Sequence, residues 1–525
     1  MDCWSGIVRD GTHERVRLEL LWILYRRGRI SGHVFSLGLL DERKKMNWTY
    51  IIVVVAYLAA MAAVAFRGHR RSASEEEFLT ASRSIGPWIG GATLAATQIS
   101  AGTFVGTLGQ HYWTGVGFIW AWFGMWGGWF LCAAFVAPKL QESGALTIPD
   151  YIGRRYNSVI ARVISALLIV FAYTILLSAQ YQAAGEVFRA TFGLSPIFPM
   201  LLILVSTVLY TLVGGVRTGS YIDMLQTLAM ILGLAVGVPL LIYEAGGLQT
   251  AGQFLAQLDS RLVGSYYTPG QLVAFGLAFG LSISTSPYEL ARFYSMRDAK
   301  TARYAVGVSI FFQFLIGSAI MILGLMMRVI FPHLTSPDQA SAVMAFEVLP
   351  PLAGALFLVA IFSAVMSTCS SILIVAGSGL AHDVYGNWLA PKLGWRHDNR
   401  FLVLLNRVAV VAVGLLPLYL ALHKFEIVQF IVLEAAKFIA SMFCAAVVFG
   451  LNWRGATAQG AIGGMLSGFL VTWIWSKPFG WNSSLPPFLA QIDSAEVGVV
   501  VSSLVFFAVS RMTAVRKQYE YASKG

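Results

Sequence analysis

From about residue 48 the chain repeats one pattern: a long apolar run, then a short segment that holds most of the charge. An apolar helix of roughly 20 residues is what it takes to cross a ~30 Å hydrocarbon core. Thirteen such runs fit, centred at about residues 57, 98, 127, 172, 205, 232, 281, 317, 365, 411, 438, 467 and 503. The pattern predicts an all-α polytopic membrane protein with one membrane domain over 46–513 and a short tail over 514–525. Composition agrees, with 57% hydrophobic residues, 12% charged residues and a mean hydropathy of +0.69. A soluble chain carries about twice that charged fraction.

The charges that remain orient the chain. If the first span runs inward, the loops on the inner side, Arg217, Arg454 and the tail together hold 20 Lys or Arg, against five in the opposite loops. Basic loops stay in the cytoplasm, so the count predicts an outside N-terminus and a cytoplasmic C-terminus. Residues 1–45 break the rule with nine basic residues on the outer side. Either they are translocated against the rule, or translation starts at Met46, and the sequence favours the second. The net charge of +11 then reflects loop asymmetry and this extension, and does not imply a nucleic-acid partner. Cys3, Cys132, Cys369 and Cys444 are scattered and suggest neither a disulfide framework nor a zinc site. The eight histidines sit in loops, in the extension or near span ends, which argues against a metal cluster or a histidine proton relay.

Two spans look interrupted. The second, "GPWIGGATLAATQISAGTFVGTLGQ", is rich in glycine, and the seventh, "AFGLAFGLSISTSPYELARF", runs through serines into Pro287. Backbone leaves the helix at membrane depth only where it is buried in protein or lines a cavity. The two lie five spans apart, which is the spacing of the first helices of two inverted five-helix repeats, about 86–245 and 268–450. Close helix packing through small residues is the alternative.

The ninth span contains "SAVMSTCSS", residues 363–371, with five hydroxyls and no charge. Ala364, Ser367, Thr368 and Ser371 share one helical stripe, and Ser363, Ser367 and Ser370 the strip beside it. Neutral oxygens suit a small monovalent cation that must also leave. Bonding to carbonyls one turn back, on a packing face, is the plainer reading. Asp223 and Gln226 lie just inside another span, where a carboxylate is by default functional or ion-paired.

At these residues the chain resembles the sodium/solute symporter family, which includes sodium/proline, sodium/galactose, sodium/sialic acid, pantothenate and iodide transporters. "FLTASRSIGPWIGGATLAATQISAGTFVG", "GGVRTGSYIDMLQ", "AVMSTCSSILIVAGSGLAHDVY" and "GLNWRGATAQGAIGGMLSG" follow one another in the family's order, from about 48 to 475. The resemblance implies a leucine-transporter-like fold of five plus five inverted helices, with one extra helix before them and others after. It implies a sodium site at Ala96, Ile99, Ala364, Ser367 and Thr368, and a second candidate sodium site at Asp223, Ser370 and Ser371, with Ser367 beside it. Ser100 and Thr103 match substrate-contacting positions, and Gln98 neighbours them. The galactose transporter has a long amide side chain where this chain has Thr103, so an organic acid or amino acid is favoured over a sugar. Gln180 and Gln182 could add amide contacts or simply pack.

Glu434 and Lys437, in "IVLEAAKFIASMF", depart from the family pattern. At i, i+3 they can neutralise each other, or Lys437 can meet a substrate carboxylate. The expected activity is sodium-coupled symport of a small solute by alternating access, with no organic cofactor, in the cell membrane, as a monomer or weak homo-oligomer. Proton coupling and a transporter-like sensor with a separate partner are the alternatives. A membrane enzyme is not expected, because no catalytic constellation is present.

Overall fold

The computed structural model describes residues 48–68, 74–192, 195–395, 398–423, 427–476 and 492–522. The expected extension over 1–45 lies outside them. The regular elements among the described residues are all helical, and no strand is formed among them. In chain order the helices are α1 (Trp48–Gly68), α2 (Glu75–Thr80), α3 (Pro87–Gln98), α4 (Leu108–Thr114), α5 (Ile119–Leu131), α6 (Ile148–Arg155), α7 (Val159–Phe192) and α8 (Ile197–Glu244). They continue as α9 (Leu248–Leu258), α10 (Pro269–Thr285), α11 (Pro287–Leu290), α12 (Ala299–Ile330), α13 (Pro351–Ser378), α14 (Asn399–Leu422), α15 (Val428–Phe443), α16 (Ala458–Trp475) and α17 (Ser494–Ala522). Short π and 3-10 turns join several of these.

Among the described residues nine helical stretches are long and apolar enough to cross a membrane, and Ile197–Leu212 and Pro269–Thr285 are shorter apolar helices. Each expected span centre falls inside a helix, with residues 205 and 232 sharing α8. No loop separates those two because α8 bends at Gly215, whose φ of 56° and ψ of −161° leave the helical region. A Cβ there would sit 2.7 Å from the carbonyl oxygen of Phe78, so the bend requires glycine. The last helix continues to Ala522, through the stretch expected as a tail.

Helix starts are set locally. The side chains of Ser74, Thr147, Thr268, Asp298, Asp398 and Thr457 each accept a first-turn backbone N–H, satisfying donors that no helical carbonyl can reach. At the centre stands α13. Its apolar window is wholly buried, and it packs on α8, α14, α1 and α3. The outward faces of α5 and α8 are apolar, with Phe123, Phe130, Val205 and Leu209 exposed as a lipid-facing surface requires.

Helices α5 and α10 cross backbone to backbone. A Cβ on Gly128 would lie 2.1 Å from the Gly280 oxygen, and one on Gly124 would lie 2.3 Å from the Gly276 Cα. This small-residue crossing fixes the helix that leads into the second break. At one end of the bundle a polar lock ties α6 and α7 to the helix that continues α13. Arg162 pairs with Asp150 at 2.7 Å and approaches Asp383 at 3.8 Å, and the Thr147 hydroxyl donates to Asp383. His382 pairs there with Glu75. Asp150, His382 and Asp383 therefore converge as metal ligands would, but with Arg162 among them.

Candidate functional site

Two apolar helices are interrupted, one at Ile99 and one at Ser286. After Gln98 the chain turns extended at Ile99 (φ −76°, ψ 116°) and resumes helix at Ala101. The amides of Ser100 and Ala101 would, in an unbroken helix, bond the carbonyls of Ala96 and Thr97. Instead Ser100 donates to the Thr103 hydroxyl (3.4 Å) and Ala101 to Oε1 of Gln180 (2.9 Å). Gln180 thereby holds the break open from α7. The freed carbonyls are taken by α13. Ser367 Oγ lies 2.7 Å from the Ala96 oxygen and 3.1 Å from that of Ala364. Thr368 Oγ1 lies 3.0 Å from the Thr97 oxygen and 3.3 Å from that of Ile99.

The structure thus brings Ala96, Ile99, Ala364, Ser367 and Thr368 together as five neutral oxygens, all on residues with 0% exposure. This is a donor set for a hard monovalent cation. Three carbonyls and two hydroxyls carry no net charge, so an ion gains coordination without the grip of a carboxylate.

The second break is at Ser286 (φ −68°, ψ 118°), with Pro287 at the first position of the next turn. Pro287 lacks an N–H and cannot continue α10. Between the breaks lies a partly open cavity with about 610 Å³ of non-atom space, some of it continuous with the outside. Gln98, Ser100 and Thr103 line it, joined by Thr107, Ser282, Gln429 and Glu289 and by an apolar wall that includes Met125, Leu176 and Ile439. Tyr288 lines this cavity and also a second one on its far side, beside Arg292 and Ser371. Its amide donates to the Tyr173 hydroxyl (2.7 Å), and the two rings meet edge-on with centroids 5.4 Å apart.

The residues of the second candidate sodium site are placed differently. Asp223 Oδ2 receives the Thr93 hydroxyl at 2.6 Å and the guanidinium of Arg292 at 3.1 Å. Arg292 also donates to Ser371 Oγ and, through Nε, to Thr97 Oγ1 at 3.3 Å. Ser370 turns back to the Ser367 carbonyl (2.9 Å). The positive charge facing Asp223 and Ser371 is thus the chain's own arginine. Gln226 reaches Tyr57 of α1, which Ser363 also contacts.

Lys437 does not line the cavity. Its ammonium lies 2.9 Å from Glu434 and 2.9 Å from Asp493, and Ser476 donates to the other oxygen of Glu434. It therefore joins α15 to the segment entering α17, and its charge is committed to those two carboxylates rather than turned to the cavity where a substrate carboxylate was expected to meet it. The placement follows from Asp493, a distant partner that the i, i+3 spacing within α15 could not reveal.

Sequence reasoning missed Glu289, Arg292 and Gln429. The first two stand in "SPYELARF", immediately after the recognised break, where intramembrane charge was itself the signal. Gln429 lay at a span edge and gave none.

The profile described as "Sodium:solute symporter family" matches residues 78–468. Sodium/proline symporters of Staphylococcus aureus are similar in sequence: that of strain bovine RF122 / ET3-1 is 27% identical over 491 residues, covering 90% of this chain and 94% of the relative. That of strain JH9 is 27% identical over 490 residues, with the same coverage. Among solved structures, a Na+-coupled sialic acid symporter in a substrate-bound outward-open state superposes with a TM-score of 0.76 at 16% identity, covering 89% of this chain and 98% of that one. A nucleobase-cation-symport-1 family transporter in a closed conformation gives a TM-score of 0.54 at 14% identity, covering 84% and 95%. The fold is that of the leucine-transporter-like inverted repeat, the protein is a multi-pass transporter of the cell membrane rather than an enzyme, and the chain belongs to the sodium:solute symporter family.

Proposed function

We propose that this protein couples inward sodium movement to uptake of a small organic acid or amino acid. The observation that carries the reading is the pairing of the Ser367 and Thr368 hydroxyls with the carbonyls freed by the α3 break. Sodium binds Ala96, Ile99, Ala364, Ser367 and Thr368, and so fixes α13 against the break. Ser100 and Thr103, on the far side of the same break, then hold the solute with Gln98. One ion therefore organises the segment that contacts the cargo, and loss of that ion loosens it.

In this reading the C-terminus is cytoplasmic, and Tyr288 with the Asp150–Arg162–Asp383 lock closes the inner path. Rocking of the bundle opens that path, and sodium leaves towards low concentration. Sodium also meets no resident charge at its site, which suits release. Asp223, Ser370 and Ser371 are a second sodium site only if Arg292 withdraws.

The test is uptake of labelled solutes into proteoliposomes under an inward sodium gradient, compared with potassium and with a proton gradient. Uptake that follows sodium supports the reading. Equal uptake in potassium with a response to the proton gradient would replace sodium by protons as the driver.

A further inference from the structure

Glu289 is the one charged residue among those lining the central cavity. It is 1% exposed, and neither carboxylate oxygen has a hydrogen-bond partner. The hydroxyls of Ser286 and Tyr288 lie close enough to steady its charge, but neither completes a hydrogen bond to it and neither supplies a counter-charge. The one cation on its own segment, Arg292, is committed to Asp223, Ser371 and Thr97. Every other polar residue of the lining is neutral: Gln98, Ser100, Thr103, Thr107, Ser282 and Gln429, beside Tyr288. A buried, unpaired carboxylate is strongly disfavoured unless a cation meets it. Glu289 forms no ion pair among the described residues, so a proton can neutralise it when the cavity is empty, and a cation of the occupant can meet it when solute is bound.

The rest of the lining says what that occupant is. At the α3 break the chain resumes helix at Ala101, where the amides of Ala101 and Gly102 are already held by Gln180 and the Ser100 hydroxyl, so a carboxylate there is met by side-chain hydroxyls beside the positive end of the half-helix. The Ser100 and Thr103 hydroxyls stand beside it and can donate to a carboxylate. The walls of Met125, Leu176, Phe279, Ile283, Val432 and Ile439 are apolar. We infer that Glu289 forms an ammonium subsite, and that the solute is a zwitterionic amino acid with a small apolar side chain, its amine on Glu289 and its carboxylate at the break. This rests on the transport reading above and narrows its substrate class from acid or amino acid to the zwitterion. Simple carboxylates would leave Glu289 unpaired and add a second negative charge to the same space.

The test uses the full-length chain in lipid nanodiscs. Thermal shift is measured in sodium and in potassium with L-amino acids and glycine betaine, each matched to the acid lacking the amine: alanine with propionate, proline with cyclopentanecarboxylate. Stabilisation by amino acids and not by their deaminated partners is expected. Glu289→Gln should raise the half-saturating amino-acid concentration roughly ten- to a hundredfold, the range for a hydrogen bond between charged groups. Its melting temperature without solute should equal or exceed that of the parent, because an uncompensated buried charge is gone. Glu289→Asp keeps the charge and should retain part of the affinity.

Deaminated acids that bind as well as amino acids would overturn the inference. So would Glu289→Gln with affinity within twofold of the parent, including a variant that loses only the response of uptake to pH, which would make Glu289 a proton carrier. The two readings fail separately. Amino-acid binding indifferent to sodium would sink sodium coupling and keep the ammonium subsite, whereas sodium-dependent binding of simple acids alone would do the reverse.

Discussion

Removing the Thr368 hydroxyl while keeping its volume tests the sodium site most directly. Thr368→Val deletes one oxygen that lies 3.0 Å from the Thr97 carbonyl and 3.3 Å from that of Ile99. With sodium bound, the loss is an interaction with a charge, worth about 1.5–3 kcal/mol. Without sodium, the same hydroxyl makes neutral hydrogen bonds worth about 0.5–1.5 kcal/mol, so part of the loss cancels. The difference, roughly 1–2 kcal/mol, corresponds to a 5- to 30-fold rise in half-saturating sodium at about 1.4 kcal/mol per tenfold. Ser367→Ala, which removes the oxygen 2.7 Å from Ala96, should act in the same direction and range. The two should not add, because both oxygens serve one ion. The assay is initial uptake into proteoliposomes against external sodium, with sodium-dependent thermal stabilisation as a second readout. Thr368→Ser should stay near the parent. The reasoning is refuted if Thr368→Val leaves half-saturating sodium within twofold, or if solute affinity at saturating sodium falls by as much as sodium affinity.

Arg292→Met should free Asp223 and Ser371 for a second cation, so the sodium dependence of uptake should steepen from a Hill coefficient of about 1 towards about 2. An unchanged slope in a folded variant would show that these residues do not bind sodium even when vacated. Gly128→Ala should lower the melting temperature sharply, since its Cβ would meet the Gly280 oxygen at 2.1 Å and overpacking costs about 1–3 kcal/mol or more. Gly127→Ala, which meets nothing within 4 Å, is the control that should remain near neutral. Lys437→Met should destabilise the protein yet spare uptake per folded molecule. Combined with Asp493→Asn it should show a coupling of about 0.5–3 kcal/mol in a thermal double-mutant cycle. A coupling near zero would remove Lys437 from the α15–α17 junction.

The fold was legible because two periodicities agree. Apolar run length set the helices, and breaks five spans apart set the repeat. That Ala364, Ser367 and Thr368 share one face was legible for the same reason, since helical spacing alone puts them on one stripe and α13 is a regular helix there. What failed was pairing across the bundle. Lys437 looked able to reach substrate because its partner Asp493 stands far along the chain. Asp223 was read as a candidate cation ligand without the arginine that meets it, which the 3-10 turn after Pro287 carries inward to 3% exposure at Arg292. Glu289 went unread for the same reason. Spacing reports which side chains share a face, while the charge that meets a charge across helices depends on packing that local pattern does not encode.

Thr97 makes the two candidate cation sites one mechanical unit. Its carbonyl receives Thr368, in the cluster that would hold sodium, and its hydroxyl receives Arg292 Nε and lies 3.2 Å from Ser371 Oγ. Ser367 and Ser371 are one helical turn apart on α13, joined by the Ser371 hydroxyl donating to the Ser367 carbonyl at 2.9 Å. A sodium ion that draws the carbonyls and hydroxyls of the break into coordination must compete with the Thr368 bond to Thr97. It therefore acts on the residue that also steadies Arg292. Arg292 in turn lines the cavity on the far side of Tyr288, three residues beyond Glu289 on the same segment. The proposed sodium site, the anchoring of Arg292 and the partition between the two cavities thus share one set of hydrogen bonds. In the sodium reading proposed above, this geometry favours coupling to a single ion. The carboxylate that could hold a second sodium is already neutralised by an arginine, whose position depends on the first.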